Sequence, residues 1–406
     1  MGPMALFDGD GDGRLDLLVT GTGADTERSD DTYQPRYFEN RGGFTDATKR
    51  VMPELSLRAG AVAAADFDRD GDNDVFVGAR LVPGRYPESP MSALLRNDRG
   101  VFSDQAEVLA LADLGMVTAA VWIDGDGDGW LDLVVANDWG HVRYLHNQSG
   151  KNFVDQTDQL GFSTGGRGWW RSLAVADFNG DGRPDIVAGN VGLNTPYQAS
   201  VEAPIGIHLA NFGRSRRSRP TLIESYVEEG RLVPRRERKE IAAQVRTVAR
   251  SYRRTIDYAA ATLPEIFGEE VLANATKVEA DQLASGVFLS QADGTWRFES
   301  FPAIAQIAPA TKLVAGHFNQ DEHLDLLLLQ NEHSPLEIVG RFGGGLSQLL
   351  RGDGEGGFTP IPPGSSGIVI KGAVADAVAI DVDDDEDVEV FVTRVQDTSM
   401  LLDAQR

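Results

Sequence analysis

Asp124-Gly125-Asp126-Gly127-Asp128-Gly129-Trp130-Leu131-Asp132, running into Leu133-Val134-Val135, is the stretch on which the fold turns. Three aspartates alternate, a glycine takes the sixth position, a fourth aspartate takes the ninth, and a short apolar run follows. The frame recurs as Asp8, Asp10, Asp12, Gly13 and Asp16 before Leu17-Leu18-Val19, and as Asp66, Asp68, Asp70, Gly71 and Asp74 before Val75-Phe76-Val77. A fourth copy has Asp177, Asn179, Asp181, Gly182 and Asp185 before Ile186-Val187-Ala188. Two worn copies follow, His317/Asn319/Asp321/Asp325 and Asp381/Asp383/Asp385/Glu389, with Glu322 and Glu386 in the glycine position.

The copies start at 8, 66, 124, 177, 317 and 381, and the long fourth interval has room for one more unit. Asn211-Phe212-Gly213 through Arg219 fits the frame with every carboxylate gone, which brings the expected units to seven. Between copies lie turn phrases such as Asn40-Arg41-Gly42-Gly43-Phe44, Asn97-Asp98-Arg99-Gly100 and Asn147-Gln148-Ser149-Gly150, which read as hairpins. Strand, acidic loop, strand, longer loop, strand, turn, strand is the pattern of a propeller blade. The expected fold is therefore all-β: a seven-bladed β-propeller of four-stranded antiparallel blades spanning 1–406. A helical hairpin, about 234–284, is expected as an insertion after the fifth loop.

The loops point to a hard cation. Alternating carboxylates converge if the chain curls about one point, and like charges that close repel in a partly desolvated loop. An all-oxygen ring suits Ca²⁺. Its ligands would be the side chains at positions one, three, five and nine, with the carbonyl at position seven: Arg14, Asp72, Trp130 and Arg183. An EF-hand needs Glu at position twelve and flanking helices, whereas Val19, Val77, Val135 and Ala188 stand there in strand-like runs. Four loops have complete ligand sets, and the Asp381/Asp383/Asp385 and His317 loops have partial ones.

The whole chain is acidic, 62 Asp+Glu against 38 Lys+Arg for a net −24, which argues against general nucleic-acid binding. With no cysteine it has no disulfide, thiolate metal site or thiol nucleophile. No apolar run is long enough to span a membrane as a helix, and Met1-Gly2-Pro3-Met4 opens without the pattern of a signal peptide.

These loops resemble the FG-GAP/VCBS repeats of integrin-like propellers. Gly78 to Pro87, Gly168 to Ala174 and Gly189 to Asn194 are similar to bacterial VCBS-repeat proteins associated with ASPIC/UnbV modules and similar to cartilage acidic protein. The resemblance implies Ca²⁺ between the first two strands of a blade and an extracellular or periplasmic setting. It also implies a non-catalytic adhesion or recognition role toward a protein or glycan. A polysaccharide-acting lyase or hydrolase on the same scaffold is the alternative, although no His-Glu-x-x-His, Gly-x-Ser-x-Gly or phosphate-loop pattern nominates a catalytic group.

Ile241, Val245, Val248, Ala249 and Tyr252 recur at helical spacing, with Arg246, Arg250 and Arg253 off that stripe. From Arg214 to Arg254 there are 13 Lys+Arg and 5 acidic residues. Two readings stand: internal counter-charges, with Arg216, Arg217 and Arg219 replacing the missing cation of the fifth loop, or a patch for a polyanion. Trp169 and Trp170 either pack between blades or stack on a sugar ring, and Tyr86 and Tyr197, with Arg85 and Asn194 from long loops, are candidates for a ligand pocket.

Overall fold

The computed structural model describes residues 2–21, 33–213, 220–319, 321–332, 342–380 and 389–402. The first sheet has order β1-β2-β3-β4 (Met4–Phe7, Asp16–Val19, Arg36–Asn40, Phe44–Asp46) and is followed by one turn of helix, α1 (Thr48–Val51). The second repeats this order with β5 (Arg58–Ala65), β6 (Asp74–Leu81), β7 (Ala93–Asp98) and β8 (Val101–Asp104). The third has β9 (Met116–Ile123), β10 (Asp132–Gly140), β11 (Arg143–Asn147) and β12 (Phe153–Asp155), with β13 (Gly168–Trp169) added along the end of β10. All strand pairs are antiparallel.

The fourth sheet departs from the expected serial order. Its strands are β14 (Ser172–Ala176), β15 (Asp185–Gly189), β20 (Gly286–Ser290) and β21 (Trp296–Ser300). Between β15 and β20 lies a separate sheet of β16 (Ile205–Ala210), β17 (Thr221–Glu228), β18 (Arg231–Pro234) and β19 (Thr276–Ala280). The frame at Asn211-Phe212-Gly213 is thus the start of the β16–β17 turn of a nested sheet, and Arg214 to Arg219 lie outside the described residues. The expected helical hairpin resolves into five short helices between β18 and β19: α2 (Arg238–Gln244), α3 (Arg246–Ser251), α4 (Thr255–Ala259), α5 (Leu263–Phe267) and α6 (Glu269–Ala273). Val245, with extended φ and ψ, separates the first two.

A further sheet holds β22 (Ala310–Gly316), β23 (Asp325–Gln330), β24 (Gln348–Gly352) and β25 (Phe358–Ile361). After α7 (Pro363–Ser366), β26 (Val374–Ile380), β27 (Glu389–Arg394) and β28 (Met400–Leu402) form the last sheet.

The second strand of each unit explains how the sheets join. Val75 and Val77 of β6 face Phe7, Leu18 and Tyr37 of the first sheet, while Phe76 faces Leu133 and Val135 of the third. Val134 of β10 turns the other way, toward Trp170, Ile186 and Phe288. Val187 of β15 then meets Leu326 and Leu328 of β23, and Leu327 and Leu329 face Val390 and Val392. Alternate residues feed alternate cores, so these strands are buried on both faces and read as unbroken apolar runs. Each such side chain contributes about 1.5–3 kcal/mol by leaving water. The nested sheet stands aside from this series: Ile205 and Ile207 pack on Met116, Trp139 and Trp169, and Phe212 and Ile223 pack under the helices. Direct contact of the fourth sheet with β22 also requires Gly189, where an added Cβ would lie 2.2 Å from the Ala310 carbonyl oxygen.

Candidate metal centre

Each acidic loop joins the first strand of a sheet to the second, and its own side chains curl it. Asp8 accepts from the backbone N–H of Gly11 (2.9 Å), Asp12 (3.2 Å) and Gly13 (2.8 Å). Asp66 accepts from Asp70 and Gly71, Asp124 from Gly129, and Asp177 from Asp181 and Gly182. At position five, Asp12, Asp70, Asp128 and Asp181 accept from the residue two further on, at 2.8–3.0 Å. The sixth-position glycines have φ between 81° and 96°, a region that other residues enter at a cost. Glu322, in the same position of the worn loop, is not left-handed.

Oxygens are thereby gathered. One each from Asp8, Asp10 and Asp16 lie within 4.8 Å of one another, as do one each from Asp66, Asp68 and Asp70, and from Asp124, Asp126 and Asp128. In the fourth loop Asn179 contributes an amide oxygen, which accepts from the Asp181 N–H at 3.0 Å. The turn of the following sheet closes over the loop. Asn97 donates from Nδ2 to the Gly9 carbonyl (2.8 Å), and Asn147 donates to that of Phe67 (2.9 Å). Gly100 then lies over Asp10 and Gly150 over Asp68, where an added Cβ would come within 2.9 Å of the Asp68 Cβ. Asp10 Oδ1 and Asp68 Oδ1 are consequently buried with no hydrogen-bond partner among the described residues, as is Asp124 Oδ1, and the Asp68 side chain is only 9% exposed. Burial, ahead of neighbouring charges, raises the pKa of Asp10 and of Asp68.

The FG-GAP-like repeat family matches residues 8–77 and 124–188, two spans that begin on the first aspartate of a loop and together hold the four complete frames. The chain carries FG-GAP-like repeats. No match was found among curated proteins. The crystal structure of the V. cholerae biofilm matrix protein Bap1 is similar at 10% identity over 96% of this chain and 76% of that chain, with a TM-score of 0.29, too low to bear on fold or function.

The ninth position of each FG-GAP-like repeat has a second duty, which its spacing did not reveal. Asp16, Asp74 and Asp185 each accept from the N–H at position two of the loop, at 3.0–3.2 Å, and from the third strand through Asn40, Asn97 or Ser290, at 2.7–2.9 Å. Asp132 accepts from Asn147 at 2.7 Å. All four are buried. They strap the loop to the third strand whatever else they hold. Burial pushes Asp74 up to about 7, against the pull of these N–H groups.

Two side-chain solutions fill the space beneath. Where the third strand brings Tyr37 or Tyr144, its hydroxyl donates to Asp16 or Asp132, and position two is glycine. An added Cβ on Gly9 or Gly125 would meet the tyrosine oxygen at 2.3 or 2.4 Å. Elsewhere position two is Phe67 or Phe178, itself buried. The phrase Tyr-x-x-Asn paired with Asp-Gly-Asp was the available sequence signal.

The residue before the turn also differs from repeat to repeat. Arg96 reaches Asp68 (Nε to Oδ2, 2.7 Å) and Asp70 (Nη2 to Oδ2, 3.2 Å), placing a guanidinium in the second loop. His146 Nδ1 lies 3.2 Å from Asp132 and 3.4 Å from Asp126. Glu39 is bound instead by Arg41 and Arg50.

In the worn loop Asn319 donates from Nδ2 to both oxygens of Asp325, at 2.9 and 3.1 Å, so an amide takes up the carboxylate. Asp381, Asp383 and Asp385 lie outside the described residues.

The pocket candidates separate. Trp169 and Trp170 are 2% and 0% exposed, packed in different cores, so neither offers a face to a sugar. Tyr197 stacks edge-on against Trp169, and the hydroxyl of half-buried Tyr86 accepts from Trp139 Nε1. Arg85 is exposed and pairs with Glu88, and Asn194 is exposed and donates to the Ile307 carbonyl. A cavity of about 190 Å³ lies instead where Arg80, Arg171, Thr311, Asn331 and Glu332 meet. Its charges are matched within it: Arg171 pairs with Asp138 (2.9 Å) and Glu332 (3.0 Å), and both flank Arg80.

Proposed function

We propose that each of the four complete loops holds one Ca²⁺. We further propose that the sheets sharing cores in series are blades of a β-propeller, with the nested sheet outside that series. In this reading the protein is a non-catalytic recognition module, extracellular or periplasmic, for a protein or glycan. The observation that carries the calcium reading is the set of buried carboxylate oxygens without partners, Asp10 Oδ1, Asp68 Oδ1 and Asp124 Oδ1. A desolvated carboxylate is costly unless paired; Asp10 Oδ1 and Asp124 Oδ1 are left open among the described residues where three acidic side chains converge, and Arg96 covers only the other oxygen of Asp68. Oxygen-only donors in a flexible loop suit a hard cation of variable coordination number. The ligands would come from positions one, three, five and nine, with the position-seven carbonyls of Arg14, Asp72, Trp130 and Arg183. The non-catalytic role is supported by the use these acidic groups already have: they curl loops and strap strands.

Thermal melting with and without calcium tests the reading. At a hundredfold excess over Kd one site stabilises the fold by about 2.7 kcal/mol, so chelation should lower Tm substantially. An unchanged Tm on chelating protein that metal analysis had shown to be calcium-loaded would contradict a structural role.

A further inference from the structure

The segment from β18 to Arg254, just past α3, carries charge of the wrong sign for its surroundings, while the rest of the helical unit, 255–275, holds Asp257, Glu265, Glu269 and Glu270 and no Lys or Arg. From Arg231 to Arg254 there are nine Lys+Arg and two Glu, net +7, which leaves −31 on the rest of a chain at −24. If these cations were internal counter-charges, they would lie against acidic groups of the sheets. Two do: Arg236 faces Glu224 at 3.6 Å, and the charge of Arg235 also acts on Glu224. Arg254 pairs within its own helix with Asp257, Arg231 and Arg238 donate to the carbonyls of Ala260 and Tyr252, and Arg235 lies over the Tyr197 ring. Lys239, Arg246, Arg250 and Arg253 are exposed and make no ion pair among the described residues.

Their direction follows from packing. Ile241, Val245 and Val248 are buried with Tyr258, Leu263 and Phe267 against Phe212 and Ile223, so the opposite side of α2 and α3 is left to solvent. Arg246 and Arg250 are four apart on one helix, where like charges repel. No carboxylate among the described residues forms an ion pair with these four side chains, and an external anion would offset the repulsion.

We propose that Lys239, Arg246, Arg250 and Arg253 form a docking surface for an acidic polysaccharide. Single-stranded nucleic acid is the poorer fit, since it is held by stacking on free aromatic faces. Here Tyr258 is buried and Tyr252 packs edge-on against it, with its hydroxyl on the Glu265 carbonyl. Duplex DNA carries a charge every ~1.7 Å and would be repelled by the acidic remainder of the chain more strongly than a polymer with charges a sugar apart. The surface extends the recognition role proposed above, but calcium counting tests the loops separately, so the two readings fail separately.

The test uses the full calcium-loaded chain on immobilised heparin, polygalacturonate and sheared duplex DNA. Wild type should bind at least one of the polysaccharides more tightly than DNA. The K239S/R246S/R250S/R253S variant should bind it at least about tenfold more weakly at about 50 mM salt, with Tm unchanged. Arg36→Ser with Arg297→Ser, exposed cations elsewhere, should bind as wild type does. R246K/R250K/R253K should also keep binding, because charge carries the contact. The proposal is overturned if wild type binds neither polysaccharide, if it prefers DNA, if the serine variant binds undiminished, or if that variant melts several degrees lower, as internal counter-charges require.

Discussion

The loops at 8–16 and 317–325 share a frame and differ in what it does. In both, the ninth-position carboxylate accepts from the N–H at position two and from the third strand: Asp16 from Gly9 and Asn40, Asp325 from Phe318 and Gly352. At position three they part. Asp10 presents a buried oxygen with no hydrogen-bond partner among the described residues, whereas Asn319 presents an NH₂ group that closes on Asp325. One loop asks for a cation and the other has replaced it with a hydrogen bond. The spacing therefore marks a place in the fold, and positions one and three together mark the chemistry: the fourth loop keeps Asp177 beside Asn179, whereas His317 stands with Asn319.

The largest effect should come from what the loops share. Asp16→Ala and Asp325→Ala each strand two backbone N–H groups, one buried and one half-buried, at about 1–3 kcal/mol for the buried one. Urea denaturation in calcium-free buffer should show both variants destabilised by roughly 2 kcal/mol or more. A mild effect at Asp325 alone would break the equivalence of the two straps.

Acidity sharpens the comparison next. The folded-state pKa of Asp74 stands at about 7, above the ordinary carboxylate value, so the folded chain holds that proton more tightly than the unfolded chain. Its contribution is present in full at low pH and is lost as pH rises through about 7. Metal-stripped protein should accordingly lose stability between about pH 5 and pH 8, and calcium should flatten the slope, because a bound cation favours the ionised form. A metal-free protein whose stability rose with pH over that interval would contradict this.

A smaller difference separates the second loop from the first. Arg96 supplies a guanidinium to Asp68 and Asp70, and no cation takes that place at Asp10. Arg96→Gln should leave stability within about 1 kcal/mol, since the arginine is half exposed. It should also tighten calcium at that loop severalfold, as read by titration calorimetry. Weaker binding would mean that Arg96 organises the loop rather than competing for it.

Much of this was legible in the residues. The four complete frames, their left-handed glycines and the paired strands stand where the repeats place them, because turn chemistry and strand periodicity are local. The frame at Asn211 does mark a strand–turn–strand unit, but its nesting was not legible: which strands complete the fourth sheet depends on a pairing between β15 and β20, far apart in the chain. Position nine was read as a ligand alone because its backbone partners come from the third strand, at no fixed distance. Sequence leaves Trp169 and Trp170 between blade packing and an open ligand face, because it does not distinguish an indole in a core from one on a surface.

Calcium counting on wild type, Asp10→Ala and Asn319→Asp tests the central claim most directly. The account predicts that Asp10→Ala binds one ion fewer than wild type. It predicts that Asn319→Asp, which removes the internal donor and adds a carboxylate beside Asp325, gains calcium-dependent stability that wild type lacks. An undiminished count in Asp10→Ala, together with an Asn319→Asp variant indifferent to calcium, would contradict the idea that the residues at positions one and three decide which loops hold a cation.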